Sequence, residues 1–265
     1  MNKNCPDEIL WRHIRDLPYF RAMVRATEDC FYQGMTFEKP VLDVGCGDGH
    51  FASVAFSTKL DVGVDPWGPP ILEARTRNIY DVLIQADAAH IPYPDNWFST
   101  AISNSVLEHI PHVDAVVEDV ARVVKPSGLF IFCVPNHRFP EKLLGTQIFR
   151  SLHWEAAAKG YSRFFNRISR HQHCDSPQTW RERLDRFGFD LVDTWDYFSP
   201  AGLHVMEMGH AFGLPALIWK MLTGRWILVQ NRANLSVPLT ITRPYVQNPI
   251  SEEGVYSFFI ARRRA

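Results

Sequence analysis

The sequence lacks the features that would assign it to several large classes. Its five cysteines, Cys5, Cys30, Cys46, Cys133 and Cys174, form no C-x-x-C pair, so neither a disulfide framework nor a structural zinc site is expected, and a reducing cytoplasm is the natural setting. No window of roughly 18 uncharged apolar residues occurs, and the opening "MNKNCPDEILWRH" has no apolar core of the kind a signal peptide needs, so neither a membrane span nor a secretory route is expected. Charge of one sign is also missing: 28 Lys and Arg stand against 29 Asp and Glu, a formal net charge of −1 that disfavours a nucleic-acid partner. There is no internal repeat and no low-complexity tract.

What is present is an ordinary hydrophobic content, 46%, over 265 residues, enough for one large domain or a domain with a cap. From Asp7 to about Gln33, apolar residues recur at helix spacing around Pro18, which predicts helices outside any sheet. After Pro40 the pattern changes to short apolar runs, "VLDV", "LDVGVD", "VLIQAD", "FSTAISNSV" and "GLFIFCVPN", separated by helical or turn segments. "FDLVDTWDYF" and "GVYSFFIARRR" bring the strand candidates to seven. Such alternation predicts an α/β fold, a Rossmann-like, doubly wound, mostly parallel sheet. The helix from about Val113 to Val124 is expected to stop at Lys125-Pro126-Ser127-Gly128 before the next strand. Ser176 reads as an N-cap with Pro177 at the first helical position and Gly188 as the stop.

The chain therefore reads as a single domain, 1–265, with N-terminal helices (1–40), a ligand-binding core (41–136), the rest of the core (176–198 and 255–265), and two insertions, 137–175 and 199–254. Insertions of this size are expected to be helical lids that build a substrate pocket. The second carries "GHAFGLPALIWKMLTGRWILV", Gly209 to Val229, in which Leu214, Leu217, Ile218, Met221 and Leu222 fall on one helical face, with Trp219, Lys220, Arg225 and Trp226 at places suited to an interface. Two readings stand: a helix packed on the domain's own core, or a greasy lid that admits a lipid-like acceptor and rests on a membrane surface.

In "VLDVGCGDGHFA", Val41 to Ala52, Gly45, Gly47 and Gly49 follow a strand directly, so backbone there is free to approach a ligand. Two frames fit. "GDGHFA" (Gly47, Gly49, Ala52) meets the dinucleotide pattern G-x-G-x-x-G/A, with Asp65 near the distance of a ribose-binding acid, and makes a nicotinamide-dependent oxidoreductase the competitor. The frame anchored on the strand end reads G-C-G-D-G with Asp43 before it.

"VLDVGCGDG", the acid closing "VGVD", "ADAAHIPYPDNWFS" and "ISNSVLEHIPHVDAVVEDVARVVKPSGLFIFCVPN" together resemble the class I S-adenosylmethionine-dependent methyltransferases, most closely the small-molecule branch that includes quinone and sterol methyltransferases. The resemblance covers Val41 to Asn136 closely. It implies S-adenosylmethionine as cofactor and S-adenosylhomocysteine as product. It implies that Gly45, Cys46, Gly47 and Gly49 line the methionine and ribose, that Asp43 organises the ammonium end, and that Asp65, followed by Pro66, accepts both ribose hydroxyls. Asp87 with the Ala88 backbone would take the adenine amino group, and Ser103 and Asn104 would face the methionine. Each acid has a plainer reading as a turn or helix cap. Cys46 reads as a small filler rather than a nucleophile.

The sulfonium methyl is already activated, so alignment and exclusion of water are the main demands. A base is needed only if the acceptor must lose a proton; candidates are His109, His137 and, in "RHQHC", His171 and His173. Metal ligation by that tract is not expected, because it shows no carboxylate partner. "SNSV" stands where an N-P-P-Y amide- or base-methylating motif would lie, so the expected acceptor is small and hydrophobic or lipid-like, methylated on oxygen or carbon. A non-catalytic, cofactor-binding accessory subunit is the third alternative.

Overall fold

The computed structural model describes residues 5–210 and 213–265, without the side chain of Leu214. Ala211 and Phe212, within the apolar stretch, lie outside the described residues. In chain order the elements are α1 (Asp7–Ile14), α2 (Tyr19–Tyr32), β1 (Val41–Val44), α3 (His50–Ala55), β2 (Leu60–Asp65), α4 (Gly68–Arg77), β3 (Tyr80–Gln85) and β4 (Phe98–Asn104). A short 3-10 turn, Leu107–His109, leads to α5 (Val113–Val123), β5 (Val124–Pro135), α6 (Arg138–Lys142), α7 (Leu144–Ser151), α8 (Glu155–Ser169) and α9 (Pro177–Arg186). β6 (Phe189–Tyr197), α10 (Pro200–His210), α11 (Gly213–Thr223), α12 (Ser236–Gln247) and β7 (Tyr256–Arg263) complete it.

All seven expected strands form one sheet of order β3-β2-β1-β4-β5-β7-β6. β1 pairs in parallel with β2 and β4, β2 with β3 and β4 with β5, while β7 runs antiparallel to β5. The order reverses at β1, so β1 and β4 flank the switch point beyond whose carboxyl ends ligands bind in such sheets. The fully buried β1 and β4 have unbroken inward runs on both faces, as expected for central parallel strands.

By contacts the chain forms two compact units: one of Gly34–His137, Ile168–Trp195 and Tyr256–Ala265, the other of residues up to Gln33, Arg138–Arg167 and Asp196–Val255. In the sheet unit, α5 contributes Val113, Val116, Val117 and Val120, and α9 contributes Trp180 and Leu184, to one core with Phe130, Phe132 and Phe259. Trp180 is 1% exposed, with its ring centroid 4.9 Å from Phe132. Arg183 bonds Asp114 of α5 at 2.6 Å and Asp175 at 2.9 Å, which fixes the segment preceding α9.

The expected N-cap is present: the Ser176 hydroxyl accepts from the Thr179 N–H at 3.1 Å, and Gly188 closes the helix at φ 81°. Ser176→Ala is expected to cost about 1 kcal/mol, read from the urea midpoint. The end of α5 differs from expectation. β5 already begins at Val124, and its pairing with β4 jumps from Phe98–Val124 to Thr100–Leu129, so Lys125 to Gly128 form an irregularity within the strand rather than a loop before it.

The other unit is helical. Glu207 of α10 caps α7, its carboxylate accepting from the N–H groups of Leu144 (2.6 Å) and Gly145 (3.0 Å) and from the Tyr161 hydroxyl. Burial, then the hydrogen bond to Glu207 and its charge, push the Tyr161 pKa up. The Tyr197 hydroxyl donates to buried Glu28 at 3.0 Å, and His13 bonds Asp29 at 3.0 Å. Cys5 and Cys30 form a disulfide between the start of α1 and the end of α2. One bridge is not a disulfide framework, but no such pair was expected; sequence spacing carried no sign that the α1–α2 hairpin returns Cys30 to Cys5.

On α11, Leu217, Ile218, Trp219, Met221 and Leu222 are 43%, 51%, 43%, 78% and 74% exposed, so among the described residues these apolar side chains stand at the surface. Lys220 and Arg21 lie 5.2 and 5.3 Å from the Trp226 ring centroid. Among the described residues no helix is long and apolar enough to cross a membrane.

Candidate functional site

The glycine turn begins where β1 ends. The N–H groups of Gly45 and Cys46 donate to the Val64 carbonyl of β2 at 2.8 and 3.0 Å, and Gly45, Gly47 and Gly49 all take left-handed backbone, φ 79°, 53° and 68°. At Gly45 a side chain is excluded, because a Cβ would sit 2.3 Å from Val106 Cγ1. At Gly47 a Cβ would meet nothing within 4 Å. The first glycine thus closes the turn against the loop after β4, and the second leaves open space over bare backbone.

Asp65, the last residue of β2, organises this turn. Its Oδ2 accepts the Gly47 N–H at 2.9 Å and its Oδ1 accepts the Trp67 N–H at 2.9 Å. Burial raises its pKa, opposed by those two hydrogen bonds. Each carboxylate oxygen retains acceptor capacity, the provision a vicinal diol requires. Pro66 and Trp67 are exposed beside it, Trp67 by 70%. Trp67, directly after the acid-proline pair, thus presents an exposed indole beside the turn, a residue that the glycine and acid motifs do not include.

Asp43 of β1 is 5% exposed, and its Oδ2 accepts the Tyr80 hydroxyl at 2.6 Å. Tyr80 is held well above its ordinary pKa by burial and then by Asp43. Removing this donor in Tyr80→Phe is expected to cost about 1.5–3 kcal/mol, checked by chemical denaturation. Cys46 is buried, and burial followed by the charges of Asp43 and Asp65 pushes its thiol pKa up, which fits a filler and not a nucleophile.

Asp87 follows β3. It accepts the Ala89 N–H at 2.9 Å and faces His112 Nε2 at 3.3 Å, and these contacts, the Ala89 bond foremost, lower its pKa against a burial penalty. Its side chain is 51% exposed, and Ala88 beside it is buried. Ser103 is fully buried and donates to the Val44 carbonyl at 2.9 Å, while Asn104 accepts from the Cys133 thiol at 3.1 Å. The β4 end therefore braces β1 and β5 through these two side chains.

The candidate bases separate. His137 lies exposed after β5. His173 donates from Nε2 to the Ile110 carbonyl at 3.0 Å, which commits it to holding the loop. His109 donates from Nδ1 to the Arg170 carbonyl at 3.1 Å and points Nε2 toward Glu108, 3.7 Å away. His171 stacks on it with ring centroids 5.6 Å apart. The fold thus supplies the carboxylate that the "RHQHC" tract lacks in sequence. Ligand atoms of Glu108, His109 and His171 all lie within 4.8 Å of one another.

Residues 12–194 match the family described as "Methyltransferase domain". A fatty-acid O-methyltransferase of Mycolicibacterium smegmatis is 34% identical over 110 residues, 39% of this chain and 40% of that protein. A ubiquinone biosynthesis O-methyltransferase of Pectobacterium atrosepticum is 33% identical over 106 residues, 38% and 44% of the two chains. A "probable S-adenosylmethionine-dependent methyltransferase" of Mycobacterium tuberculosis is 30% identical over 99 residues, 37% and 36%. The aligned region spans less than half the length of each of these relatives. An S-adenosylmethionine-dependent methyltransferase structure from Thermotoga maritima superposes with TM-score 0.58 at 12% identity, covering 93% of this chain and 92% of that one. A (4+2)-cyclase structure does so with TM-score 0.53 at 19% identity, covering 92% and 82%, so the fold by itself does not dictate the reaction. With the glycine turn, the strand-end acids and the sheet order in place over the matched residues, the chain belongs to the methyltransferase-domain family, the S-adenosylmethionine-dependent methyltransferases of Rossmann-like fold.

Proposed function

We propose that this chain transfers the methyl group of S-adenosylmethionine to a small, hydrophobic or lipid-like acceptor, on oxygen or carbon. The observation that carries the cofactor assignment is Asp65, held at the end of β2 by the Gly47 and Trp67 N–H groups beside open space at Gly47. In this reading Asp65 takes the ribose hydroxyls, the Gly45–Gly49 backbone faces the ribose and methionine, Trp67 covers the adenine and Asp87 meets its amino group. S-adenosylmethionine brings an activated methyl, and the residues of the chain bind, orient and exclude water. Calorimetry against S-adenosylmethionine, S-adenosylhomocysteine and NAD tests this: micromolar binding of both sulfur nucleosides is expected, and binding of NAD alone overturns it.

The acceptor class rests on the exposed apolar face of α11 and on the names of two relatives, a fatty-acid O-methyltransferase and a ubiquinone biosynthesis O-methyltransferase. The same face, with Lys220 and Arg225 at its edge, supports peripheral contact of residues 209–229 with a membrane on the cytoplasmic side. Co-sedimentation with anionic vesicles, reduced in Trp219→Ser, is the expected result; a protein left wholly in the supernatant removes the membrane contact.

A further inference from the structure

We infer that Glu108, His109 and His171 form a binding site for a single divalent transition-metal ion of the zinc class. Two histidine nitrogens and one carboxylate, drawn from segments more than sixty residues apart, bring their ligand atoms within 4.8 Å of one another. This donor set suits zinc and its neighbours rather than magnesium or calcium, which take oxygen ligands.

The set joins one buried ligand to two nearer the surface: Glu108 is buried, His109 exposed and His171 partly exposed, and the chain between them holds it in place. Glu108 is 2% exposed, so the carboxylate is held by the core and not by solvent. Its backbone carbonyl accepts the N–H groups of Gln172 (2.7 Å) and His173 (3.1 Å), and His173 Nε2 returns a bond to Ile110. The two segments are therefore zipped together by backbone at the ligand positions themselves. A carbonyl only accepts, so the Arg170 contact fixes the proton of a neutral His109 on Nδ1 and leaves the Nε2 lone pair facing Glu108. Orientation of a ligating imidazole by a carbonyl on its other nitrogen is the usual support for a metal-bound histidine. Downstream, Arg183 pins Asp175 at 2.9 Å and so anchors the far end of the tract.

Three protein ligands leave a tetrahedral ion one open position, the pattern of a reactive site rather than a closed structural one. The site adjoins the glycine turn through Val106, whose side chain occupies the space over Gly45, two residues before Glu108. An ion here would sit in the loop that closes the turn assigned to the cofactor; its position relative to the reaction rests on the proposed function, whereas its binding does not.

The test uses the untagged full-length protein, freed of metal by chelator and titrated with Co²⁺ as a spectroscopic probe and with Zn²⁺ in competition. One equivalent of Co²⁺ giving visible d–d bands, displaced by Zn²⁺, with affinity falling at least about 10-fold in His171→Ala, is the expected result. No bands and no saturable Zn²⁺ binding overturn the site, as does binding of unchanged strength in His171→Ala. His171 is partly exposed, and a circular dichroism melt of this variant in chelator matching the metal-free parent shows that its loss is not unfolding. S-adenosylmethionine calorimetry on the same metal-free protein reads the cofactor separately, so failure of either assignment leaves the other standing.

Discussion

Gly45→Ala is expected to destabilise the sheet unit by about 3–5 kcal/mol and to abolish measurable cofactor binding. Two effects add. The backbone at φ 79° is left-handed, a conformation that costs a residue with a Cβ roughly 1–2 kcal/mol. The new methyl would also lie 2.3 and 2.8 Å from the two γ-carbons of Val106. Valine is stiff at χ1, and the bond from the His109 N–H to the Val106 carbonyl at 2.9 Å holds its backbone, so relief by either route is costly. Relief requires the turn after β1 to part from the loop after β4. Gly47→Ala is the informative control. It meets nothing within 4 Å, so only the left-handed penalty applies to stability, yet the methyl enters the space assigned to the ligand. Thermal melts are expected to place Gly45→Ala about 10 °C below the parent and Gly47→Ala only a few degrees below, with cofactor binding weakened in both. Equal melting temperatures for the two variants would refute the argument.

Asp65→Ala is expected to weaken S-adenosylmethionine binding by at least about 100-fold, because under the proposed function two hydrogen bonds from the ribose to a charged acceptor, each about 1.5–3 kcal/mol, are lost together with the brace that shapes the turn. The brace is the carboxylate that joins the Gly47 and Trp67 N–H groups, and alanine leaves both without it. Calorimetry at constant pH checks the affinity. A second readout comes from pH. The folded pKa of Asp65 is raised by burial, so the folded state holds its proton to higher pH than the unfolded chain does. Its contribution to stability is full below the ordinary carboxylate range and is lost as pH rises through the raised value. The alanine variant lacks this slope, and comparison of urea midpoints across that window measures it.

Much of the framework of the candidate site was legible because it is local. A strand that ends in Asp43-Val44 and turns through three glycines, and a second strand that ends in Asp65, place their groups within a few residues of strand ends that periodicity already locates. The helix cap at Ser176 is local in the same sense. Tyr80 was invisible as a partner of Asp43 because 37 residues separate them and only the β1-β2-β3 order brings them together. His112 reaches Asp87 across 25 residues for a similar reason. The Cys5–Cys30 pairing was not legible because spacing along the chain says nothing about a hairpin of helices that returns Cys30 to Cys5.

By itself the sequence determined the strand–helix alternation, the parallel sheet and the residues at the strand ends, since each depends on a period or a turn shorter than a dozen residues, and the family, which rests on several such motifs in order. Only the tertiary structure decided which strand-end groups are braced and by what, that the apolar face of α11 stays exposed, and that Glu108 meets His109 and His171. Those outcomes depend on register and on the return of distant segments. Their free energy comes from core packing that is summed over the whole fold and carried by no single stretch of residues.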